Sequence, residues 1–375
     1  MNTQMKAIIT ANRGAIDFCA QELLANGISC EKEDCVLAFE APIEKIAEFS
    51  YKAKTPKSVL LRIGNAPQGK DIEDAIKELC STSDYSMFKE GLKFCVRGEK
   101  IEWDAYPTQE IERMCGDLIV GKTGAKVNLS DPDLLVRVVL TPTQMYLCVD
   151  TSKEDLSKRD YKIFAGSDPY KGTTGAAFAM FSGFDAKKST VDVMCGAGIL
   201  SVESALIVSG RSAHYFNKEK FLFTRWQIPS LADPFDKWDE DIVDRKIDFR
   251  VLDSNNRSVE AAKKNAKIAG VIRQLSFARM DAEWLDIKFE ESSVDLCMSM
   301  VYVPLRTPQE HAKWFEEFFY QVEFILKKGG AACLLCKQPE AAKEAASKRK
   351  FKLWKETQLF QNKDCWHALA WKCAK

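Results

Sequence analysis

Histidine is nearly missing from this chain, with three in 375 residues. A mechanism or metal centre built around imidazole therefore has little to draw on. No apolar run approaches the roughly 20 residues that a bilayer-spanning helix needs. The opening stretch, MNTQMKAIITANRG, lacks the long apolar centre of a secretory signal. A cytoplasmic location without membrane attachment is the expectation. Net charge is absent too, since 54 Lys and Arg balance 54 Asp and Glu, so no whole-molecule field announces a polyanionic partner. Short-period repeats and low-complexity tracts are also lacking.

What is present is ordinary in bulk and uneven in detail. A hydrophobic fraction of 46% with 29% charged residues suits a globular protein, and 375 residues suffice for two or three domains. The thirteen cysteines are odd in number and scattered through apolar runs such as L-K-F-C-V and V-D-L-C-M, which favours reduced core thiols. Cys333 and Cys336 lie three apart in a strand-like run and so point to opposite faces. No metal is expected, with zinc on Cys365, His367 and Cys373 as the weaker alternative. Charge is segregated near the end: from Lys327 onward twelve Lys and Arg face four acids. A solvated helix face and a phosphate-contacting surface both account for that excess.

Periodicity divides the chain. Residues 5 to about 60 read strand, helix, strand, helix, a small α+β unit. A second α+β unit begins near Ser58 and includes a helix from Thr108 to Val120 ending at Gly121 and the strands L-L-V-R-V-V-L and Q-M-Y-L-C-V-D. Residues 151 to about 185 form a connector, polar first and helical through Thr174 to Ser182. From Ser189 strands and helices alternate, which predicts a parallel sheet covered by helices on both faces, closed by two segments spaced for an antiparallel pair.

The densest chemical signal is D-V-M-C-G-A-G-I-L-S-V-E, Asp192 to Glu203. Gly196 and Gly198, between a strand and a helix, let the backbone approach a ligand at the carboxyl end of the sheet. The next strand ends in Asp253, placed to accept both hydroxyls of a ribose. The strand after it is followed by Met280-Asp281-Ala282, where Asp281 can accept from an adenine amino group while Met280 packs on the ring. Taken alone, each acid reads first as an ordinary loop or cap residue. Three such features at successive strand ends point to a nucleoside-containing cofactor.

These runs resemble the cofactor motifs of class I S-adenosylmethionine-dependent RNA methyltransferases, the guanine-N2 group in particular. R-V-L-D-S-N-N-R-S-V-E-A-A-K-K-N-A-K-I-A-G-V and F-A-R-M-D-A-E-W-L resemble that group's next two motifs, and F-L-F-T-R-W, Phe221 to Trp226, resembles an insertion typical of it. L-S-K-R-D-Y-K and D-P-Y-K-G-T-T-G-A-A-F-A-M-F-S-G-F are similar to the segment that joins a THUMP RNA-binding domain to such a catalytic domain. The resemblance implies an α/β fold, with a Rossmann-like methyltransferase domain (a mostly parallel seven-stranded sheet) at 185–375. Ahead of it would come a ferredoxin-like domain at 1–57, a THUMP domain at 58–152, and a linker with a helix at 153–184. It further implies S-adenosyl-L-methionine as cofactor and tRNA as partner, with N2-methylguanosine in the acceptor stem as product and ribosomal RNA as the alternative. By the same resemblance Asp192, Cys195, Gly196 and Gly198 surround the methionine part, Asp253 holds the ribose, and Asp281 with Ala282 holds the adenine. Thr173 and Thr174 cover the methionine carboxylate. Ile199 and Val193 stand where relatives have Thr and Pro.

The loop expected to grip the base is M-S-M-V-Y-V-P-L-R-T, Met298 to Thr307. Transfer to an aromatic amine requires its N–H groups to be oriented by acceptors and the base held flat. Relatives use Asn or Asp, then proline, then an aromatic. Here Ser299, Met300 and Val301 precede the surviving aromatic, Tyr302. Losing a positioned acceptor costs a few kcal/mol, roughly 10²- to 10³-fold in rate. Two readings stay open: Ser299, a main-chain carbonyl near Met300 and stacking on Tyr302 suffice, or catalysis is lost or needs an activating protein subunit. A small-molecule or protein methyltransferase is a third, and leaves the N-terminal half unexplained. Arg306, just beyond the loop, reads at least as well as a solvated arginine as it does as a phosphate contact. Trp226, Trp238 and Trp284 read as packing residues, and Lys122, Lys126 and Arg137 as exposed contacts to RNA. The expected assembly is a monomer or weak homodimer.

Overall fold

Apolar residues alternating at period two, or running without a break, give strands buried on one face or both. In this computed structural model, which describes residues 4–69, 71–165, 169–302 and 307–375, those strands form two sheets. The first holds β1 (Gln4–Thr10), β2 (Cys30–Glu33), β3 (Val36–Pro42), β4 (Ser58–Pro67), β5 (Lys93–Lys100), β6 (Lys126–Val127), β7 (Leu134–Leu140) and β8 (Gln144–Asp150). Their order is β2-β3-β1-β4-β8-β7-β5-β6. The two α+β segments read separately from the sequence thus share one sheet, because β1 pairs antiparallel with β4 and β4 with β8. Helices α1 (Ile16–Ala25), α2 (Ile43–Lys52), α3 (Ile72–Thr82) and α4 (Thr108–Thr123) accompany it. Asp71 caps α3 by accepting from the amides of Glu73 and Asp74.

Helix α4 runs through Gly121, where the sequence suggested an end, and stops at Gly124, whose φ of +67° is the left-handed conformation that closes a helix. Arg137 also differs from expectation. Its side chain is mostly buried and its Nε lies 2.8 Å from Oδ2 of the fully buried Asp150. Burial pushes the Asp150 carboxyl up to about 6 against the pull of Arg137 and the Ser152 amide. Arg137 is an internal counter-ion.

The second sheet contains β9 (Thr190–Asp192), β10 (Phe249–Asp253), β11 (Ser276–Arg279), β12 (Val294–Met300), β13 (Leu326–Cys336), β14 (Phe351–Gln361) and β15 (Asp364–Cys373), ordered β11-β10-β9-β12-β13-β15-β14. The first five are parallel, and β15 and β14 close the sheet antiparallel. Around it lie α5 (Gly172–Phe181), α6 (Ile199–Ser209), α8 (Asn256–Ile268), α9 (Leu285–Lys288), α10 (Pro308–Ile325) and α11 (Pro339–Ser347); the short α7 (Phe235–Asp239) precedes α8 in the chain but belongs with the first sheet. Thr307 and Glu310 form a reciprocal capping box at the start of α10. One core joins β9, β12 and β13 to Phe315, Phe318 and Phe319 of α10 and to Trp371.

Chain order and packing part company. One compact unit takes the chain up to Ala11, Cys19–Leu156 and Asn217–Glu240, and the other takes Asn12–Phe18, Ser157–Phe216 and Asp241–Lys375. The segment containing F-L-F-T-R-W thus packs in the first unit, where Tyr51 meets Phe221, Phe235 and Trp238 at ring-centroid distances of 5.5, 5.0 and 6.0 Å. Trp226 and Trp238 are buried there. Trp284, by contrast, is 57% exposed and is not a packing residue. Among the described residues no helix is long and apolar enough to cross a membrane.

Candidate active site

The carboxyl ends of β9, β10, β11 and β12 are where an open parallel sheet presents loops to a ligand. Strand β9 ends at Asp192 and the chain turns through Cys195 to Gly198 into α6. Gly196 and Gly198 have φ of +52° and +82°, a region costly for side chains with a Cβ. A Cβ on Gly198 would also stand 2.8 Å from the Ala262 Cβ, so the glycine lets α8 approach the turn.

Hydrogen bonds lock neighbouring strand tips together. The Gly196 amide donates to Asp253 Oδ2 at 3.0 Å, the Asn255 amide to Asp253 Oδ1 at 2.8 Å, and the Met280 amide to the Asp253 carbonyl at 3.0 Å. The Cys195 amide donates to the Leu252 carbonyl at 2.9 Å. Asp253 is therefore the hub that joins the first, second and third loops. Asp281 is exposed and caps the following turn through the Glu283 amide, with Ala282 buried behind it. Met280 lies in the core with Phe289 and Phe315, so it is a support beneath the loop and not a surface for a ring. The Cys195 thiol is buried and bonds the Gly196 carbonyl at 3.6 Å.

Three predicted residues are placed otherwise than the sequence suggested. Ser299 is 0% exposed; its hydroxyl donates to Asp192 Oδ1 at 2.8 Å and accepts from the Val193 amide at 3.0 Å. It is a clasp between β9 and β12 and has no face to offer a base. Thr173 and Thr174 are buried as well: Thr173 Oγ1 accepts from Asn12 Nδ2 at 3.2 Å, and Thr174 Oγ1 donates to Gln361 Oε1 at 3.2 Å. Their hydroxyls hold the amino end of α5 and do not reach out from it. Met300 is buried at the end of β12, whereas Tyr302 is 36% exposed with its ring 6.4 Å from that of Trp366. Arg306 falls outside the described residues.

Several supporting residues carried little sequence signal. Asn265, fully buried, donates to the Ala197 and Phe164 carbonyls and accepts the Phe164 amide, tying the linker to the glycine turn. Arg159 and Glu203 form a buried two-point ion pair at 2.8 and 3.1 Å, to which Tyr161 adds a bond of 2.7 Å. Tyr170 donates to the Val301 carbonyl at 2.9 Å and packs 4.6 Å from Trp366. Gln361 joins β14 to the start of α5 by accepting the Lys171 amide and donating to the Pro169 carbonyl. Asn265 and Glu203 sit inside quoted motifs; Gln361 and Trp366 are brought in only by the closing hairpin. Cys365 and His367 come within 3.9 Å, but Cys373 lies at the far end of β15, and among the described residues no group of three such side chains could hold a metal.

A five-stranded parallel sheet closed by an antiparallel hairpin, with its loops converging on an acid at the second strand tip, defines the methyltransferase class of open α/β fold. The chain belongs to the family described as RMKL-like, methyltransferase domain, which matches residues 159–367; residues 70–150 match the THUMP domain. It is 24% identical over 85% of its length, and 86% of the relative's, to a tRNA (guanine(6)-N2)-methyltransferase of Methanocaldococcus jannaschii. To a ribosomal RNA large subunit methyltransferase K/L of Aliivibrio fischeri it is 26% identical, over 85% of this chain and 47% of that one. Its fold is shared with SMU.472, a putative methyltransferase crystallised with SAH, at a TM-score of 0.81 and 20% identity, covering 99% of this chain and 98% of that one.

Proposed function

We propose that this protein is an S-adenosylmethionine-dependent RNA methyltransferase that forms N2-methylguanosine in the acceptor stem of tRNA. The observation that carries the reading is the Asp253 hub, with its carboxylate at the carboxyl edge between the glycine turn and the Met280-Asp281 loop. The residue types fit an adenosyl group: a carboxylate at the tip of the second strand for the ribose hydroxyls, and an exposed Asp281 for an adenine amine. When bound, the cofactor supplies an electrophilic methyl group on a sulfonium. The chain's own residues do the rest. Asp253 orients the ribose, Asp281 sets the adenine end, and Cys195 to Gly198 line the methionine part with backbone. Tyr302, with Trp366 behind it, offers a ring on which a flipped guanine stacks. With the Ser299 hydroxyl held inside the sheet, main-chain carbonyls near Met300 are left to accept the amine N–H groups. Lys122 and Lys126 of the THUMP region contact the RNA backbone, and the enzyme works in the cytoplasm.

The clasped Ser299 favours a second reading, a THUMP RNA-binding protein that keeps the cofactor but needs an activating subunit for transfer. The large-subunit relatives make ribosomal RNA the alternative substrate. Tritium transfer to unmodified tRNA and to ribosomal RNA, run beside calorimetry with S-adenosylmethionine, separates the three. Label in tRNA guanosine supports the first, label in ribosomal RNA alone replaces the substrate, and cofactor binding with no label in either leaves the second.

A further inference from the structure

Opposite the glycine turn, at the amino ends of β12 and β13, a pocket of about 200 Å³ opens among Lys188, Lys327, Lys328, Lys372 and Trp354, with Asp295 at its wall. That is space for about seven waters, enough for a phosphate group. Among the described residues only Lys327 of these lysines is within ion-pair distance of a carboxylate, Asp295 at 2.9 Å, though Lys188 also feels that charge. Lys188 and Lys372 bond to the Gly183 and Gly329 carbonyls, and Lys328 and Lys372 are exposed. Three of the twelve cations from Lys327 onward therefore line this pocket, together with Lys188 from before β9.

The aromatic ring is placed there by a defined irregularity. In the β14–β15 pairing Leu353 faces Trp371 and Lys355 faces Ala370, so Trp354 is the extra residue of a bulge on an edge strand. Bulges of this kind redirect a side chain and end regular pairing. Trp354 is 52% exposed, and the Lys355 and Lys372 ammonium groups lie 4.3 and 4.7 Å from its ring centre. Lys355 is held below its ordinary value, by burial foremost and also by repulsion from Lys372 and Lys188. An anion entering the pocket relieves that repulsion.

We propose that this pocket is a second RNA contact, which takes the phosphate of an unpaired nucleotide among Lys188, Lys328 and Lys372 and its base against Trp354. It rests on the RNA-methyltransferase reading and deepens it. Exposed aromatic rings flanked by cations stack on unpaired bases, whereas bases inside an A-form duplex offer no face to them. Lysine side chains are long and mobile enough to leave the ring for a phosphate as the base arrives.

The test uses the full chain, unmodified tRNA and a blunt RNA duplex in filter binding from 50 to 200 mM salt. Lys328→Glu with Lys372→Glu is expected to weaken tRNA binding at least tenfold and to make the salt slope shallower by about two. Trp354→Ala is expected to weaken tRNA binding about tenfold and duplex binding less than twofold. Melting curves and calorimetry with S-adenosylmethionine should be unchanged, since the altered side chains are exposed. Unaltered protein that binds no RNA would overturn the parent reading and this site with it. RNA binding that both variants retain in full would overturn the site alone. Trp354-dependent fluorescence quenched by adenosine monophosphate, with no quenching by an unpaired RNA oligomer, would also overturn it by making the pocket a mononucleotide site.

Discussion

The two halves of the candidate site are built on different principles. On the side of Asp253, polar groups are cross-tied: one carboxylate serves two amides, its own carbonyl serves a third, and Asn265 and Glu203 brace the turn and helix behind it. On the side of Tyr302 the polar group has been withdrawn, since Ser299 lies fully inside the sheet and its hydroxyl is shared between Asp192 and Val193. Aromatic surface takes its place, with Tyr302, Trp366 and Tyr170 in sequence. A half fixed by hydrogen bonds tolerates little change in any member. A half built from ring faces is more forgiving, because stacking is graded with overlap and does not depend on one donor angle.

Substitutions can break or sharpen this contrast. The largest effect is expected from Glu203→Leu, which removes the buried carboxylate that pairs with Arg159 and bonds Tyr161, and should cost about 3–5 kcal/mol of unfolding free energy by denaturant titration. Asp253→Ala comes next: losing two charge-assisted bonds of about 1.5 kcal/mol each weakens S-adenosylmethionine binding roughly 100-fold in calorimetry. Ser299→Ala opens the clasp, leaving the Val193 amide unanswered, and should lower stability by about 1–3 kcal/mol. Cofactor affinity and transfer per folded molecule should stay close to normal. Should that variant instead keep its stability and lose transfer, the hydroxyl touches the base after all and the contrast collapses. Tyr302→Ala is the mildest, with kcat/KM for RNA reduced about tenfold, an unchanged cofactor Kd, and recovery in Tyr302→Phe.

Much of the cofactor half was legible in the linear chain because it follows local rules. A glycine pair between strand and helix, then an acid at the end of the next strand, needs only a parallel sheet to bring the pieces together, and the Gly196–Asp253 bond does so directly. The base half was legible only in part. That Ser299 replaces a longer acceptor can be read from M-S-M-V-Y; that its hydroxyl faces Asp192 depends on the lateral neighbourhood of β12 and β9. Thr173 and Thr174 mark the start of a helix by their spacing, but their partners Asn12 and Gln361 lie 161 and 187 residues away. Arg137 looked free because a strand alternates its faces without stating which face is covered, and Asp150 on the adjacent strand claims it.

The sequence by itself determined the class of fold, the order of strands and helices in the second half, and the acids that stand at strand tips, because periodicity and turn chemistry act over a few residues. Only the tertiary structure decided which hydroxyls remain available, which tryptophans face solvent, and how lysines from distant segments gather around Trp354. Those outcomes depend on pairing across strands far apart in the chain, where a partner's burial and charge set what each side chain can do.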